Sequence, residues 1–229
     1  MATMTTRQKD IFSTDCRRCS RLANFLDGIR QEFPGYFARP VPPFGDAQAR
    51  LLVVGLAPGM HGANRSGRPF TGDYAGLLLY RTLHKFGFAN RAESIHADDG
   101  LLLTGCKITN AVKCLPPENK PAIEELKRCN AYLAAELTVL PKAAAVLALG
   151  GIAHKAVLMA AGEKATKYKF VHGAQHRLQC GLTLFDSYHC SRYNTQTKRL
   201  TEPMFEQVFA AIGSFFLDQT VAAKRTDEA

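Results

Sequence analysis

The sequence predicts a single α/β domain built on a parallel sheet that helices cover on both faces. Four short apolar runs alternate along the chain with segments of helical periodicity. Strands that alternate with helices form parallel sheets, because each connection crosses back over the sheet. The chain has 229 residues and 46% of them are hydrophobic, and single α/β domains commonly reach roughly 200 to 250 residues. One domain over residues 1–229, with frayed termini, is therefore expected.

The predicted elements follow in the order that such a sheet requires. An N-terminal helical segment and the proline-rich stretch at residues 38–48 precede the first strand. The predicted strands cover residues 50–54, 107–112, 143–150 and 182–188. The helical patterns that follow them cover residues 76–88, 121–137, 152–161 and 204–216. Each strand is too short for a helix and is bounded by glycine or polar residues, which favours buried strands.

Charge and hydropathy narrow the class of protein. The net charge is +9 and the pI is about 9.3, which favours a polyanionic partner such as nucleic acid. No apolar run approaches the roughly 20 residues of a membrane-spanning helix. The N-terminal segment MATMTTRQKD lacks the apolar stretch of a secretory signal. We therefore expect a cytoplasmic protein without a membrane partner.

The seven cysteines indicate reduced thiols or metal ligands in a protein of this kind. Cys16 and Cys19 form CRRC, and fourteen residues separate Cys114 from Cys129. Two separated pairs of thiolates can complete one tetrahedral site. The alternative is a chance pair in a helical N-terminus and two small core residues. Spacing alone does not separate zinc from an iron–sulfur cluster, since both accept four thiolates.

A polar segment follows each predicted strand, and two of the four segments contain glycine. These segments lie at residues 55–73, 110–120, 150–155 and 189–194. Loops after parallel strands gather at the carboxyl edge of the sheet, where ligands of open α/β folds bind. One shared site is therefore expected. The first loop lacks the G-x-G-x-x-G pattern of dinucleotide-binding folds and the Gly-Lys-Ser/Thr ending of a phosphate-binding loop.

Four motifs resemble those of the uracil-DNA glycosylase superfamily, most closely its family 5 (type b) iron–sulfur enzymes. They read, in order, GLAPGMHGANRSGRPFTGD, ITNAVKCLPPENKP, ALGGIAHKA and SYHCSRYNTQTKRLT. The resemblance extends over residues 16–209 and implies a three-layer α/β/α sandwich around a four-stranded parallel sheet. It also implies a 4Fe–4S cluster held by Cys16, Cys19, Cys114 and Cys129, with zinc as the alternative.

The resemblance implies a monomeric, monofunctional enzyme that removes uracil from DNA and leaves an abasic site. Other deaminated bases remain open as further substrates. Cleavage of the N-glycosidic bond produces an anionic base, so hydrogen-bond donors are needed around its oxygen. The base must also leave the duplex before reaction. The alternative function is a catalytically inactive DNA-binding or iron–sulfur sensor module on the same fold.

Three residues are the catalytic candidates. His189, at the end of the fourth strand, corresponds to the histidine that donates to the uracil oxygen in the resembling enzymes. Asp73 and Asn119 match the family's candidates for positioning water. An aspartate before a helix is also a favoured N-cap that contributes typically ~1 kcal/mol, and an asparagine in PPENKP is also a favoured turn residue.

Six residues are expected to bind the base: Gly55, Pro58, Gly59, His61, Phe70 and Asn110. The segment from Gly55 to Gly59 can bring backbone N–H groups close to the base. Phe70 stacks on the base by resemblance, with a core position as its alternative. The amide of Asn110 offers a donor and an acceptor, which match the O4 and N3–H of uracil.

The expected DNA contacts are Gly150, Gly151, Ser191, Arg192, Tyr193 and Asn194. Two glycines that open a helix can bind phosphate through free N–H groups. Ser191 is expected at a phosphate, Arg192 or Tyr193 in the gap left by the base, and Asn194 as a support for the loop. A plain surface turn is the alternative. Cys190 stands where the family has proline, and because proline fixes φ near −65°, a looser loop is expected.

Overall fold

A six-stranded sheet forms the centre of the molecule. The computed structural model describes residues 12–227, with side chains described through residue 220. The strands are β1 (Phe44–Gly45), β2 (Leu51–Gly55), β3 (Cys106–Asn110), β4 (Ala145–Leu149), β5 (Gln175–Arg177) and β6 (Thr183–Ser187). Their order across the sheet is β1-β3-β2-β4-β6-β5.

The four central strands are parallel and correspond to the four predicted strands. Two short edge strands, β1 and β5, pair antiparallel with β3 and β6. The α/β class is thereby confirmed, whereas the expected number of four strands is wrong for the whole sheet. The two edge strands have only two and three residues, too few to produce a period-2 pattern in the sequence.

Helices cover both faces of this sheet. They are α1 (Ser20–Glu32), α2 (Ala63–Ser66), α3 (Tyr74–Lys85), α4 (Ile123–Thr138), α5 (Gly151–Ala160), α6 (Arg192–Gln196) and α7 (Glu202–Asp227). On β2, Leu51 and Val53 pack with α3 and α7, while Leu52 and Val54 pack with α4 and α5. Successive strand residues point to opposite faces, so the strand is buried on both sides and the molecule has three layers.

The terminal segments differ from expectation. The backbone of α7 is helical through Asp227, eleven residues beyond the predicted end at residue 216. Residues 224–227 belong to this helix, and the fraying of the termini stays a prediction. The remaining part of that prediction falls on residues 1–11 and 228–229, which lie outside the described residues. No described helix combines the length and the hydropathy needed to cross a membrane.

Helix α1 is fixed against the loop that follows β3. Its buried residues Leu22, Leu26 and Ile29 form a third apolar cluster with that loop and with α4. Arg21 on α1 makes a two-pronged ion pair with Glu125 on α4, with nitrogen–oxygen distances of 2.8 and 2.7 Å. This packing brings the N-terminal cysteine pair beside the other two cysteines.

Candidate active site and cysteine cluster

A cavity of about 420 Å³ opens at the carboxyl edge of the central strands. Eight of the predicted site residues line it: Gly59, Phe70, Asp73, Asn110, Asn119, His189, Ser191 and Arg192. They come from the loops after β2, β3 and β6, which lie 30 or more positions apart along the chain. The parallel register brings them together, since it aligns the ends of these strands.

The floor of the cavity is formed at the ends of β2 and β3. Gly55 and Asn110 are register partners there. A Cβ atom at Gly55 would overlap Asn110 Oδ1 and would lie 2.7 Å from Phe70 Cζ, so only glycine leaves room for both groups. Asn110 is 3% exposed, and its Oδ1 has no hydrogen-bond partner among the described residues. Buried amides are normally satisfied, so this amide is available to a ligand.

Phe70 is held in a strained conformation beside His189. Its φ of +56° lies in the left-handed region, which costs a bulky residue on the order of 1 to 3 kcal/mol. Its ring stacks on that of His189, with centroids 6.0 Å apart and an interplanar angle of 28°. Phe70 is buried, but it also lines the cavity, so its core and stacking roles coexist.

Asp73 divides its two carboxylate oxygens between two tasks. Oδ1 accepts a hydrogen bond of 2.8 Å from Gly76 N–H and caps α3. Oδ2 faces the loop after β2, where a Cβ atom at Gly62 would lie 2.8 Å from it. Burial raises the pKa of Asp73 despite the hydrogen bonds from Gly76 and Ala75. The N-cap role therefore leaves one oxygen free for chemistry.

His189 follows β6 and presents its ring to the cavity. Within the described residues, neither ring nitrogen has a hydrogen-bond partner, and burial alone lowers the pKa of the ring to about 4. The ring is therefore neutral at physiological pH, with one N–H donor and one acceptor nitrogen.

The loop after β6 is tied down at several points. Ser191 caps α6 by accepting a 3.4 Å hydrogen bond from Asn194 N–H. Asn194 in turn donates from Nδ2 to His189 O at 2.8 Å. Cys190 is 0% exposed and packs in the core cluster of α3 and α7. Packing thus anchors the loop where the missing proline led us to expect looseness.

Two residues of this loop point outward. The guanidinium of Arg192 lies 5.8 Å from the ring centroid of Tyr74 and also borders the cavity. Tyr193 is 69% exposed and, like Asn194, does not line the cavity. Arg192 and Tyr193 are both exposed residues of the loop that borders the cavity.

Several predicted base or DNA contacts lie beside the cavity instead of lining it. His61 is exposed, and its Nδ1 is 2.8 Å from Tyr36 Oη, so its hydrogen bond leads away from the site. Pro58 is also outside the lining set. Gly150 and Gly151 open α5, and a Cβ atom at Gly150 would lie 3.6 Å from His189 Cβ.

Asn119 completes the cavity wall from the loop after β3. It ends a short 3-10 helix, Pro117–Asn119, and has a φ of +57°. Asparagine tolerates this left-handed conformation better than most residues. The predicted turn role and a position on the cavity wall are thus both present.

Arg68 is a buried residue that sequence reasoning missed. It is 5% exposed and hydrogen-bonds to Thr71 and Ser94, with an ion pair of 2.6 Å to Asp99. These bonds hold the segment that carries Phe70 and Asp73. The arginine stands inside the first motif, but its partners come from a loop without any periodic pattern.

The four predicted metal ligands lie around one small pocket. Cys16, Cys19, Cys114 and Cys129 line it together with Tyr132 and Lys113. Tyr132 Oη donates to Cys16 Sγ at 3.2 Å, and Lys113 N–H donates to Cys129 Sγ at 3.3 Å. Burial, the largest effect, raises the pKa of Cys129 to about 11. Four adjacent thiolates therefore need a cationic group to compensate their charge.

The spread of the sulfur atoms bears on the size of that group. Within residues 12–227, no three of these cysteines have ligand atoms that all lie within 4.8 Å of one another. In a zinc tetrathiolate the sulfurs lie about 3.8 Å apart, because each Zn–S bond is about 2.3 Å long. Among the described residues, these cysteines are therefore not grouped as tightly as the ligands of a single zinc ion.

Another set of potential ligands lies under α5. Asp186 is 0% exposed, and its two oxygens lie 2.8 Å from His154 Nδ1 and 3.2 Å from His176 Nε2. His154 Nε2 also lies 3.1 Å from Tyr168 O. The hydrogen bonds to the two imidazoles account for this buried carboxylate, which lies apart from the cavity.

Comparison with known proteins agrees with the motifs. The family model described as the uracil DNA glycosylase superfamily matches residues 42–213. A type-5 uracil-DNA glycosylase of Thermus thermophilus is 48% identical over 200 residues, which cover 85% of this chain and 91% of the relative. One from Pyrobaculum aerophilum is 43% identical over 199 residues, or 85% and 86% of the two chains.

A type-4 uracil-DNA glycosylase of Pyrobaculum aerophilum is 35% identical over 139 residues, which cover 60% of this chain and 63% of the relative. The type-5 similarity is thus higher and extends over more of both chains. With its parallel central sheet, its cavity at the carboxyl edge and these relatives, the chain belongs to the uracil-DNA glycosylase superfamily, among relatives of the type-5 group.

Proposed function

We propose that this protein is a monofunctional DNA glycosylase that hydrolyses the N-glycosidic bond of uracil in DNA and leaves an abasic site. The observation that carries the proposal is the meeting of His189, Asp73 and Asn110 in one cavity of about 420 Å³. The names of the relatives support the same activity. Nothing found favours an inactive DNA-binding or sensor module on this fold.

Base binding uses the floor of the cavity. A uracil turned out of the DNA stacks on Phe70, while the amide of Asn110 pairs with O4 and N3–H of the base. The uncommitted Oδ1 of Asn110 supports this pairing, because the group has lost water without gaining a protein partner.

Bond cleavage places negative charge on the departing base and positive charge on the sugar. As the bond between C1′ and N1 breaks, its electron pair moves to the uracil ring and its oxygens. The neutral ring of His189 donates a hydrogen bond to the oxygen on which this charge develops. Stacking on Phe70 holds the ring of His189 in place without using either nitrogen.

Water then attacks C1′ and loses a proton. The free Oδ2 of Asp73 can accept that proton and can stabilise the sugar cation, while Asn119 orients the water from the opposite loop. The raised pKa of Asp73 supports the role of a base, because a carboxylate with a higher pKa accepts a proton more readily.

The surface around the opening binds DNA in this proposal. Ser191 and the N–H group of Gly151 contact phosphates, and Arg192 or Tyr193 fills the gap left by the base. Gly150, predicted as a phosphate contact, instead donates its N–H to Ser187 O at 2.8 Å. Asn194 supports the loop through its bond to His189 O. His61 was predicted to bind the base, but it lies outside the cavity, so we propose it as a contact of the DNA instead.

The cysteine cluster holds a 4Fe–4S group in this proposal. Cys16, Cys19, Cys114 and Cys129 are its ligands, and the wide spacing of their sulfurs supports the cluster over zinc. When bound, the group supplies a covalent link between the N-terminal segment and the loop after β3.

One assay tests the proposed function against the inactive alternative. The purified protein is incubated with a uracil-containing oligonucleotide and with a matched thymine oligonucleotide, and abasic sites are cleaved with alkali. We expect strand cleavage at the uracil position only. Retained DNA binding without any cleavage would support the inactive module.

We predict that Asn110→Ala erodes the preference for uracil more than it weakens DNA binding. When a wrong base occupies the cavity, a fixed amide at Asn110 leaves buried polar groups without hydrogen-bond partners. Each such group costs roughly 1 to 3 kcal/mol of binding free energy, so the wild type should prefer uracil over hypoxanthine and xanthine. Single-turnover rates on uracil and hypoxanthine oligonucleotides are compared for both proteins. An unchanged ratio would mean that Asn110 only satisfies the strand end.

We predict that DNA affinity falls steeply with salt and that Arg192→Ala flattens this dependence. Each phosphate contact contributes a slope of about −0.9 in the logarithm of affinity against the logarithm of salt concentration. Titrations between low and physiological salt measure it. Lys142→Ala is the matched control, because Lys142 precedes β4 at the opposite edge of the sheet. A flat response of the wild type would argue against phosphate contacts.

A further inference from the structure

A histidine outside the cavity binds the backbone N–H of Tyr188, the residue that precedes His189. His172 lies between a short 3-10 helix, Ala165–Lys167, and β5. Its Nδ1 accepts a hydrogen bond of 3.1 Å from Tyr188 N–H. Its ring also stacks on that of Tyr188, with centroids 4.9 Å apart and an interplanar angle of 12°. The same side chain thus holds both the backbone and the ring of Tyr188.

The position of His189 depends on its backbone more than on its own ring bonds. Its ring has a stacking contact with Phe70 but no hydrogen bond among the described side chains. Side chains hold the backbone on both sides of His189, and the carbonyl of the peptide group directly before it, Tyr188 O, accepts a 2.9 Å hydrogen bond from Ser187 Oγ. His172 binds the N–H of Tyr188 on one side, and Asn194 Nδ2 binds the carbonyl of His189 on the other.

The contacts of His172 favour one protonation state. An acceptor Nδ1 must lack a proton, and burial lowers the pKa of this imidazole although an interaction with the backbone of Met204 opposes the shift. The guanidinium of Arg199 lies 4.7 Å from the ring centroid of Tyr188. The ring of Tyr188 thus contacts His172, Arg199 and Phe170. Of these three residues, His172 is the one whose side chain also hydrogen-bonds the backbone of Tyr188.

We propose that His172 is a positioning residue that sets the reach of His189 into the cavity, an inference that rests on the proposed glycosylase function. A donor to a developing oxyanion must lie about 2.7 to 3.1 Å from the place that the oxygen will occupy. The backbone nitrogen of Tyr188 is two bonds from the carbonyl carbon that is bonded to the nitrogen of His189. Loss of the hydrogen bond from Tyr188 N–H to His172 therefore shifts the backbone of His189 and tilts its imidazole relative to the base.

The test separates the acceptor from the ring. His172→Phe keeps a flat ring for stacking and removes the acceptor. It should lower the single-turnover rate at saturating DNA by roughly tenfold to a hundredfold, the scale expected for a displacement near 1 Å. The DNA concentration at half-maximal rate should not change. A second pair, His172→Asn and His172→Leu, has equal size and differs only in the acceptor, so the Asn variant should be the faster by a similar factor.

The rates of these variants test the proposal that His172 positions His189. His172→Phe at the wild-type rate overturns the proposal, as do equal rates for the Asn and Leu variants. If the Phe variant does not fold, the Asn and Leu pair still tests the acceptor. An inactive wild-type protein in the same assay would instead overturn the proposed glycosylase function. That outcome is distinguishable from failure of the present proposal, in which the wild type is active and the variants match it.

Discussion

Replacement of His189 by alanine is expected to lower the single-turnover rate of uracil release by roughly 10² to 10³, the scale of losing one donor to a developing oxyanion. DNA affinity is expected to change little, because the ring contacts the base oxygen only as charge develops. The measurement is single-turnover cleavage of a uracil oligonucleotide with enzyme in excess, beside a binding titration on the same DNA.

His189→Gln is the matched control for this prediction. Its amide keeps a hydrogen-bond donor on a side chain of similar reach, so it should retain more activity than alanine. Thermal unfolding of both variants checks that the contact with Phe70 is not needed for folding. Release of uracil by the alanine variant at the wild-type rate would make His189 a structural residue.

The pH dependence of the same reaction follows from the protonation state of His189. Burial lowers the pKa of His189 to about 4, so its ring stays neutral from pH 8 down to pH 5. A loss of activity between pH 8 and pH 5 would therefore come from the titration of a group other than His189. Asp73 has a raised pKa, and a carboxylate that accepts a proton is active only while ionised, so activity should fall as the pH drops through its pKa.

The sequence was sufficient for the layers of the fold. Three of the four central strands are fully buried, and only Lys107 of β3 is partly exposed. The apolar character of a run such as Leu51–Gly55 does not depend on distant partners. The edge strand Phe44–Gly45 has no such pattern, since it is defined by its pairing with β3. Elements that depend on a neighbour for their existence leave little local signal.

The same distinction applies to the candidate site. His189, Asp73 and Asn110 stand at strand ends or helix starts, where motif and topology predict a shared edge. The hydrogen bond from Tyr188 to His172 and the contacts of Arg68 with Ser94 and Asp99 join segments that are 16 or more residues apart. His61 shows the opposite error, because its motif position suggested the cavity while Tyr36, from the segment after α1, draws it outward.

The cysteine cluster fixes a part of the chain that has its own apolar contacts. Helix α1 packs in a cluster that is separate from the two faces of the sheet, and Cys16 and Cys19 line one pocket with Cys114 and Cys129. Metal binding that exists only in the folded state adds directly to folding free energy, on the order of 10 kcal/mol for structural zinc sites. That amount is comparable with the whole stability of a domain, roughly 5 to 15 kcal/mol.

Purified wild-type protein is therefore expected to be brown, with broad visible absorption and about four irons per chain, as a cluster with four thiolate ligands requires. Cys16→Ala should lose the iron, lower the soluble yield severalfold and expose the segment around α1 to limited proteolysis. The protein that remains folded should release uracil faster than His189→Ala, because none of the four cysteines lines the cavity. Cys180→Ala is the control, since Cys180 is an exposed thiol outside the cluster.

A colourless wild-type protein with one zinc per chain would refute the assignment of an iron–sulfur cluster. Normal iron content in Cys16→Ala would refute the assignment of Cys16 as a ligand.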